Sequence, residues 1–248
     1  GWDGASRIVT DQWGDILGKP FKYTYVPGAS GMIGMKKLAA TGKNGYQTGI
    51  ITFNMVNMTD RFQKGAGANW SELAFVGNII TDQDAIFVHK ESQFRTLQDL
   101  IEYGRTSEKP LRVGTAHPQA VSTLAALLFI RETGINATVV SFNGGSASRK
   151  ALAGKHVDMI VSASASAVSM KDFFRGLGVF AEDNKAAGIF DMPTMKEALP
   201  DLFFPSFLEP FGIVVARSFM EEHPEEYAVL VKSFEKAMIG EEAVAKAK

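Results

Sequence analysis

The sequence contains no cysteine, and histidine is rare, with four residues in a chain of 248. The absence of cysteine excludes disulfide bonds, thiolate catalysis and cysteine-ligated metal sites, and it is compatible with an oxidising compartment. The histidines show neither an H-E-x-x-H motif nor an i,i+4 pair, and they stand far apart at His89, His117, His156 and His223. We therefore expect no metal site, and no cofactor of another kind.

The sequence also lacks an excess of charge and a long apolar run. The 26 basic residues nearly balance the 27 acidic ones, the formal net charge is -1, and no basic block is present. Nucleic acid is therefore not an expected partner. No apolar run reaches the ~18 residues of a membrane span, and no signal peptide is present, although the chain opens abruptly at Gly1. With 46% hydrophobic and 21% charged residues, one large domain or two smaller ones would fit.

Apolar spacing and glycine or proline breaks predict an alternation of helices and strands. The first elements are a helix over 5–17, a strand over 21–26, a helix to about residue 40 and a strand over 47–53. Further strands are predicted at 73–80, 84–90, 111–115, 137–142 and 157–163, and further helices at 96–105, 120–134, 145–155 and 219–238. This alternation indicates an α/β fold.

Four loops that follow predicted strands are rich in glycine, serine, threonine or asparagine. They cover 28–34, 52–54, 114–123 and 143–148. In an open α/β sheet, ligands bind beyond the carboxyl ends of the strands, where such loops enter helices. Two loops belong to each α/β half, so we expect a cleft between two lobes that holds an anion through backbone donors.

The first loop carries Gly28, Gly31 and Gly34, which allow backbone N–H groups to approach a ligand closely. A dinucleotide fingerprint is one alternative. It fails in detail, because the second glycine is misplaced, Pro27 interrupts the strand, and no acidic residue follows about twenty positions on. A tight turn without a ligand is a second alternative, and the sequence leaves it open.

No set of catalytic residues stands out. The sequence has no G-x-S-x-G elbow, no Walker loop and no Ser-His-Asp set that spacing would support. An enzyme on a two-lobed fold remains one alternative function. The effector domain of a transcription regulator is another, although it would need a DNA-binding helix-turn-helix that the chain lacks.

Several short motifs occur in the order and spacing of one known family. "PGASGMIG" and "GKNGYQTGI" resemble its P-G-A-x-G-x-I-G and P-D-G-Y-T-L signatures, and "DMPTMKEALP" resembles its D-V-P-T-x-x-E. "FNGGSASRKALAGKHVDM" resembles Y-x-G-G followed by L-x-G-x-V-D, while Gly1, Asp3, Arg7, Gly18 and Pro20 fall on G-G-x-D-x-x-x-R and L-G-x-P segments. Over nearly its whole length, the chain resembles the tripartite tricarboxylate transporter solute-binding proteins, also called Bug receptors.

The resemblance implies a two-lobed periplasmic binding fold of type II-like topology, the Venus flytrap, in which each lobe is a mixed sheet flanked by helices and two strands cross between lobes. Lobe 1 would comprise 1–85 and 210–248, lobe 2 would comprise 86–209, and the family's first strand would come just before Gly1. Such a protein would be a monomeric periplasmic receptor and not an enzyme. It would capture a small carboxylate between its lobes, close on it, and deliver it to the membrane subunits of a tripartite transporter.

In these receptors the ligand carboxylate is held mainly by backbone amides, hydroxyls and bridging waters of the loops. No catalytic residue is expected, and the expected ligand-binding residues are Trp2, Asp3, Ala29, Ser30, Gly31, Thr52, Phe53, Asn54, Thr115, His117, Ala120, Phe142, Asn143, Gly144 and Ser164.

The chain departs from the family at "GTAHPQA", where relatives usually have G-S-x-G-x-G-S. His117, Gln119 and Ala120 replace two glycines and a serine, so this loop is bulkier. The ligand is expected to be a dicarboxylate, a tricarboxylate or an aromatic carboxylate, and because Trp2 and Phe53 should face this loop, we expect selection for a ligand with a flat or aromatic body.

Several individual residues have two possible roles. His117 is either a donor to the ligand or a loop histidine bonded to backbone. Asp3 fits a helix N-cap better than a ligand contact. Arg7 and Arg149 could be carboxylate forks, but each lies about one turn into its helix, so solvation at the surface is at least as well supported.

Overall fold

The computed structural model describes residues 2–26, 28–62 and 68–240, without the side chains of Trp2, Asp3 and Ser30. Within these ranges the helices are α1 Trp2–Leu17, α2 Met32–Thr41, α3 Phe53–Phe62, α4 Leu97–Thr106, α5 Val121–Thr133, α6 Gly145–Ala153, α7 Ser164–Ala167, α8 Met195–Ala198, α9 Arg217–Glu222 and α10 Pro224–Ile239. The strands are β1 Gly49–Thr52, β2 Leu73–His89, β3 Leu111–Thr115, β4 Ala137–Ser141, β5 Met159–Ala163, β6 Phe174–Val179 and β7 Leu208–Ala216. None of these described helices has the length and apolar character needed to cross a bilayer.

The chain divides into two compact units, here called lobe 1 and lobe 2. Lobe 2 is Asp82–Glu209, and lobe 1 is Trp2–Thr81 together with the described residues from Pro210 onward. The long strands β2 and β7 each continue from one lobe into the other.

Lobe 2 contains a mixed sheet. Strand β3 runs parallel to β4 and β5, with Thr115 opposite Ser141, and β2 runs antiparallel to β5 and β6. Alternate residues of β2 point to opposite faces: Ile86 belongs to the hydrophobic cluster that includes α4 and α5, and Phe87 to the cluster that includes α6. Because β3, β4 and β5 are parallel, their carboxyl ends and the loops that follow lie at one edge.

Lobe 1 is built around β1, β7 and the first part of β2. Strands β1 and β7 are antiparallel, and β7 lies between β1 and β2. Successive residues of β7 again alternate, since Ile213 packs with α1 and α10 while Val214 packs with α2 and α3. Helices α1 and α10 therefore cover one face of the lobe 1 sheet, and α2 and α3 cover the other face.

Most predicted elements are confirmed, among them the helix that begins after Thr96. The Thr96 hydroxyl accepts a hydrogen bond from the Asp99 amide, and the Asp99 carboxylate accepts one from the Thr96 amide. This reciprocal pair is a capping box, which satisfies two amides that the helix itself leaves without a partner.

The predicted strand over 21–26 is wrong. The segment has strand-like alternation of burial, but it joins no ladder. It is held instead by side-chain contacts to α1: Phe21 stacks on Trp13 at 4.9 Å, Tyr23 hydrogen-bonds the Thr10 hydroxyl, and the Arg7 guanidinium lies over the Tyr23 ring. Extended residues become a strand only when another strand supplies their backbone partners.

Two further predictions need correction. The separate strands at 73–80 and 84–90 are one strand, β2, because Asp82 and Gln83 between them are buried and the extended backbone continues without a break. The helix over 219–238 is two helices, α9 and α10, which meet at His223. Pro224 starts α10 because proline is tolerated in a first turn and not in a helix interior. Strands β6 and β7 were not predicted.

Candidate functional site

The glycine loop of lobe 1 is a single 3₁₀ turn, Ala29–Gly31, that leads into α2. Gly28 and Gly31 have φ of 113° and 92°, in the region that favours glycine, and Ala29 also has a positive φ of 44°. The Gly31 amide donates to the Gly28 carbonyl at 2.9 Å, which closes the turn. Gly28 and Ala29 are exposed.

The second predicted loop of lobe 1 is hardly a loop, because Thr52 ends β1 and Phe53 begins α3. The start of α3 lies near the glycine turn, since Met32 and Met55 belong to the same hydrophobic cluster. Phe53 is partly buried, and its ring contacts Trp70 and Phe75 edge to face, with centroids 5.9 and 5.0 Å away. Thr52 and Asn54 are partly buried as well.

Two predicted loops of lobe 2 are joined by backbone hydrogen bonds. The Phe142 amide donates to the Thr115 carbonyl at 3.0 Å, and the Gly144 amide donates to the Ala116 carbonyl at 2.7 Å. The structure therefore brings the loops after β3 and β4 together, as the parallel pairing of these strands predicts.

Several predicted lobe 2 residues hold their loops in shape. Thr115 is fully buried, with its hydroxyl 2.8 Å from that of Thr123, and Thr123 also donates to the His117 carbonyl at 2.7 Å. Ala120 is buried, and its amide donates to the His117 carbonyl at 3.0 Å. Ser164 is buried and donates from Oγ to Asp82 Oδ1 at 3.0 Å.

The remaining predicted residues differ in exposure. Asn143 is exposed, while Phe142 is partly buried and packs on the cluster of α6. His117 is partly buried, and burial lowers the pKa of its imidazole, so the ring is neutral near neutral pH. Trp2 and Asp3 belong to α1 and Ser30 to the glycine turn, but their side chains lie outside the described structure.

The helices that leave the predicted loops begin at residues that form no side-chain cap. The N-cap residues of α2, α5 and α6 are Gly31, Ala120 and Gly144, and none of these three residues forms a side-chain cap hydrogen bond. The N-cap residues of α7, α9 and α10 form none either, whereas α4 and α8 begin at the capping boxes of Thr96 and Thr194. First-turn amides without a side-chain acceptor, at the positive end of the helix dipole, can donate to an anion.

Sequence reasoning missed a buried charge cluster in lobe 2. It comprises Asp82 and Asp84 of β2, Arg149 of α6 and Glu209 of β7. Arg149 is only 9% exposed, so of its two interpretations, carboxylate fork and solvation at the surface, the second is wrong. Two aspartates within a strand-forming run were the available signal, but Asp82 was interpreted as part of a break between strands and Asp84 as the first residue of the second strand.

A cavity of about 600 Å³ lies elsewhere in lobe 2, near the start of β3. Four of its charged groups are paired, Arg112 with Asp158 and Lys155 with Glu91. None of the predicted ligand-binding residues lines it. We therefore place no ligand there.

Comparison with known proteins identifies the family. The model of the tripartite tricarboxylate transporter family receptor matches residues 5–215. The chain belongs to this family. A curated relative from Cupriavidus necator, the UPF0065 protein in gbd 5'region, is 25% identical over 238 residues, which are 94% of this chain and 69% of the relative.

Two solved structures show the fold of this receptor. MatC from Rhodopseudomonas palustris with bound malate has a TM-score of 0.84 at 19% identity, over 99% of this chain and 83% of MatC. An R. palustris protein with adipate has a TM-score of 0.80 at 20% identity, over 98% of this chain and 81% of its own. The predicted Bug-type family and the two-lobed periplasmic binding fold are confirmed, and proteins of this family are receptors rather than enzymes.

Proposed function

We propose that this receptor binds a small aliphatic dicarboxylate and presents it to a tripartite tricarboxylate-type transporter. The observation that carries the proposal is the set of three helices, α2, α5 and α6, that start at the predicted loops without a side-chain cap. Their amides are donors only, and an ionised carboxylate is an acceptor only, so the two groups match. Charge-assisted hydrogen bonds of this kind are stronger than neutral ones.

An aliphatic ligand fits the packing better than an aromatic one. The rings of Phe53 and Phe142, two of the three aromatic residues expected at the ligand, pack into hydrophobic clusters of their own lobes. The structurally similar R. palustris proteins hold malate and adipate, both aliphatic dicarboxylates. A role for Trp2 in stacking on a flat ligand stays a prediction.

Membership of this family supports the proposal that the protein is a periplasmic receptor and works with a membrane transporter. The monomeric state, the individual ligand-binding residues and the expectation that both lobes hold one ligand stay predictions.

A thermal-shift panel tests the ligand class. Malate or adipate at about 100 times its dissociation constant should stabilise the fold by about 2.7 kcal/mol, since it binds the folded state alone. For a chain of this size that is a rise in Tm of about 5–10 °C. Phthalate carries the same charge on an aromatic body and should give a smaller rise. A larger rise with phthalate would favour the aromatic alternative, and no rise with any carboxylate would contradict the proposed function.

A further inference from the structure

The buried charge cluster of lobe 2 contains three carboxyl groups and a single cation. Asp82 is 3% exposed, Asp84 is fully buried and Arg149 is 9% exposed, while Glu209 keeps part of its surface exposed. Charges buried in this way are costly unless they are paired or neutralised by a proton. The cluster therefore has an unbalanced charge if all four groups are ionised.

The hydrogen bonds of the cluster satisfy only some of its carboxyl oxygens. Asp82 Oδ1 accepts from the Gln83 amide, the Ser164 hydroxyl and the Ala165 amide at 2.8, 3.0 and 3.0 Å. Asp82 Oδ2 and both carboxyl oxygens of Asp84 are buried and have no hydrogen-bond partner among the described residues. A buried carboxyl group without donors around it is more stable with a proton than without one.

Arg149 connects this cluster to the predicted ligand loop. Its Nη1 donates to Ser162 Oγ at 3.4 Å and lies against the backbone of Gly145, where a Cβ would be 2.9 Å away. Gly145 is the first residue of α6, next to the uncapped Gly144. No carboxyl of the cluster is close enough to form an ion pair with Arg149, although the charges of Asp82 and Glu209 act on it through space.

We propose that Arg149 tunes the affinity of the α6 loop for anions. When the neighbouring carboxyls of Glu209 and Asp84 take up protons, they no longer cancel the positive charge of Arg149, and its attraction for the anionic ligand increases. This inference rests on the proposed function. It adds a positioning residue that acts on the ligand electrostatically, and it makes binding sensitive to pH near neutrality.

The titration of the cluster supports this coupling. Burial raises the pKa of Glu209 to about 7, with the Asp82 charge adding to the rise and Arg149 opposing it. Burial also raises the pKa of Asp84 well above its usual range, with the charges of Glu209 and Asp82 adding. These are the charged groups that face one another from β2, α6 and β7, while Gln83 separately bonds Asp183 and the Lys185 amide.

The direction in which affinity changes with pH follows from the charges of Arg149, Glu209 and the ligand. When Glu209 is ionised it cancels part of the field of Arg149, and a bound anion repels the Glu209 carboxylate and raises its pKa further. Anion binding therefore takes up a proton, and affinity increases as pH falls through about 7. If binding shifts the pKa by about one unit, the change in affinity is at most tenfold.

Calorimetric titration with malate, and with adipate in parallel, tests the proposal between about pH 6.5 and pH 8.5, where both ligands stay ionised and Glu209 titrates. The wild-type protein should bind about three- to tenfold more tightly at the lower pH. Titrations in two buffers with different ionisation enthalpies should show a net uptake of protons. Glu209→Gln should bind at the high pH as tightly as wild type does at the low pH, with a flat profile. Glu108→Gln removes the same charge from an exposed site near the start of β3 and should leave the wild-type profile unchanged.

The outcomes separate this inference from the function on which it rests. Tight binding with a flat wild-type profile, or a Glu209→Gln profile equal to wild type, would overturn the role of the cluster and leave the receptor function intact. No heat with either ligand at any pH would overturn the proposed dicarboxylate ligand itself, and this inference with it.

Discussion

Gly31→Val is expected to weaken dicarboxylate binding by about 100-fold while the protein stays folded. Gly31 has a φ of 92°, a conformation that a β-branched residue rarely adopts, and the space around its missing Cβ is open. A Cβ at this position therefore meets no described atom, and we expect the strain of the positive φ to be relieved by a change in the shape of the turn. Loss of two charge-assisted hydrogen bonds would cost about 3 kcal/mol, which is about 100-fold in affinity.

The matched control for this variant is Gly188→Val. Gly188 has a φ of 85° and equally open surroundings, but it lies in a lobe 2 turn outside the predicted loops. Both variants should lose similar stability in urea unfolding, and only Gly31→Val should lose affinity in calorimetry. If the two bind equally well, the glycine loop is only a tight turn.

Arg149→Met is expected to destabilise the protein by about 1–3 kcal/mol at about pH 8, because it removes the buried cation whose charge acts on the carboxylates of the cluster and which donates to Ser162. The sign of the pH dependence follows from Glu209, whose pKa is raised from 4.5 to about 7 in the folded state. The contribution of Glu209 to the free energy of unfolding is therefore fully present below about pH 4.5 and is lost as pH rises through about 7. The variant should therefore be much less destabilised at about pH 5, where the native cluster holds protons.

Urea unfolding at the two pH values measures this effect, with Arg112→Met as the control. Arg112 pairs with Asp158 at an exposed site, so its loss should cost at most about 1 kcal/mol at either pH. Adding Glu209→Gln to Arg149→Met should restore much of the stability at the higher pH. A pH-independent loss that Glu209→Gln does not restore would mean that Arg149 contributes through packing and not through charge.

The glycine loops show what local sequence can predict. Gly31 and Gly144 were placed at helix starts after extended segments, because glycine followed by helical apolar spacing is a local signal. The motif order along the chain then indicated the family, which the match over residues 5–215 confirms. The individual ligand-binding residues stay predictions.

The predictions that the structure contradicts concern properties that depend on parts of the chain distant in sequence. Asp82 was interpreted as part of a break between strands because local pattern treats acidic residues as exposed, whereas the structure buries it within the continuous strand β2. Residues 21–26 have the alternation of a strand, but whether a ladder forms depends on a partner strand that local sequence does not specify. Solvation of Arg149 was one of two interpretations, based on its position one turn into a helix, and that position does not reveal how α6 packs.

The most direct test of the central claim is a calorimetric comparison of malate and adipate with their dimethyl esters at neutral pH. The esters keep the carbon body of each ligand and remove the ionised carboxylates that the amides of α2, α5 and α6 are proposed to hold. The account predicts saturable binding of at least one dicarboxylate and no measurable binding of its ester. Equal affinity for the acid and its ester would contradict it.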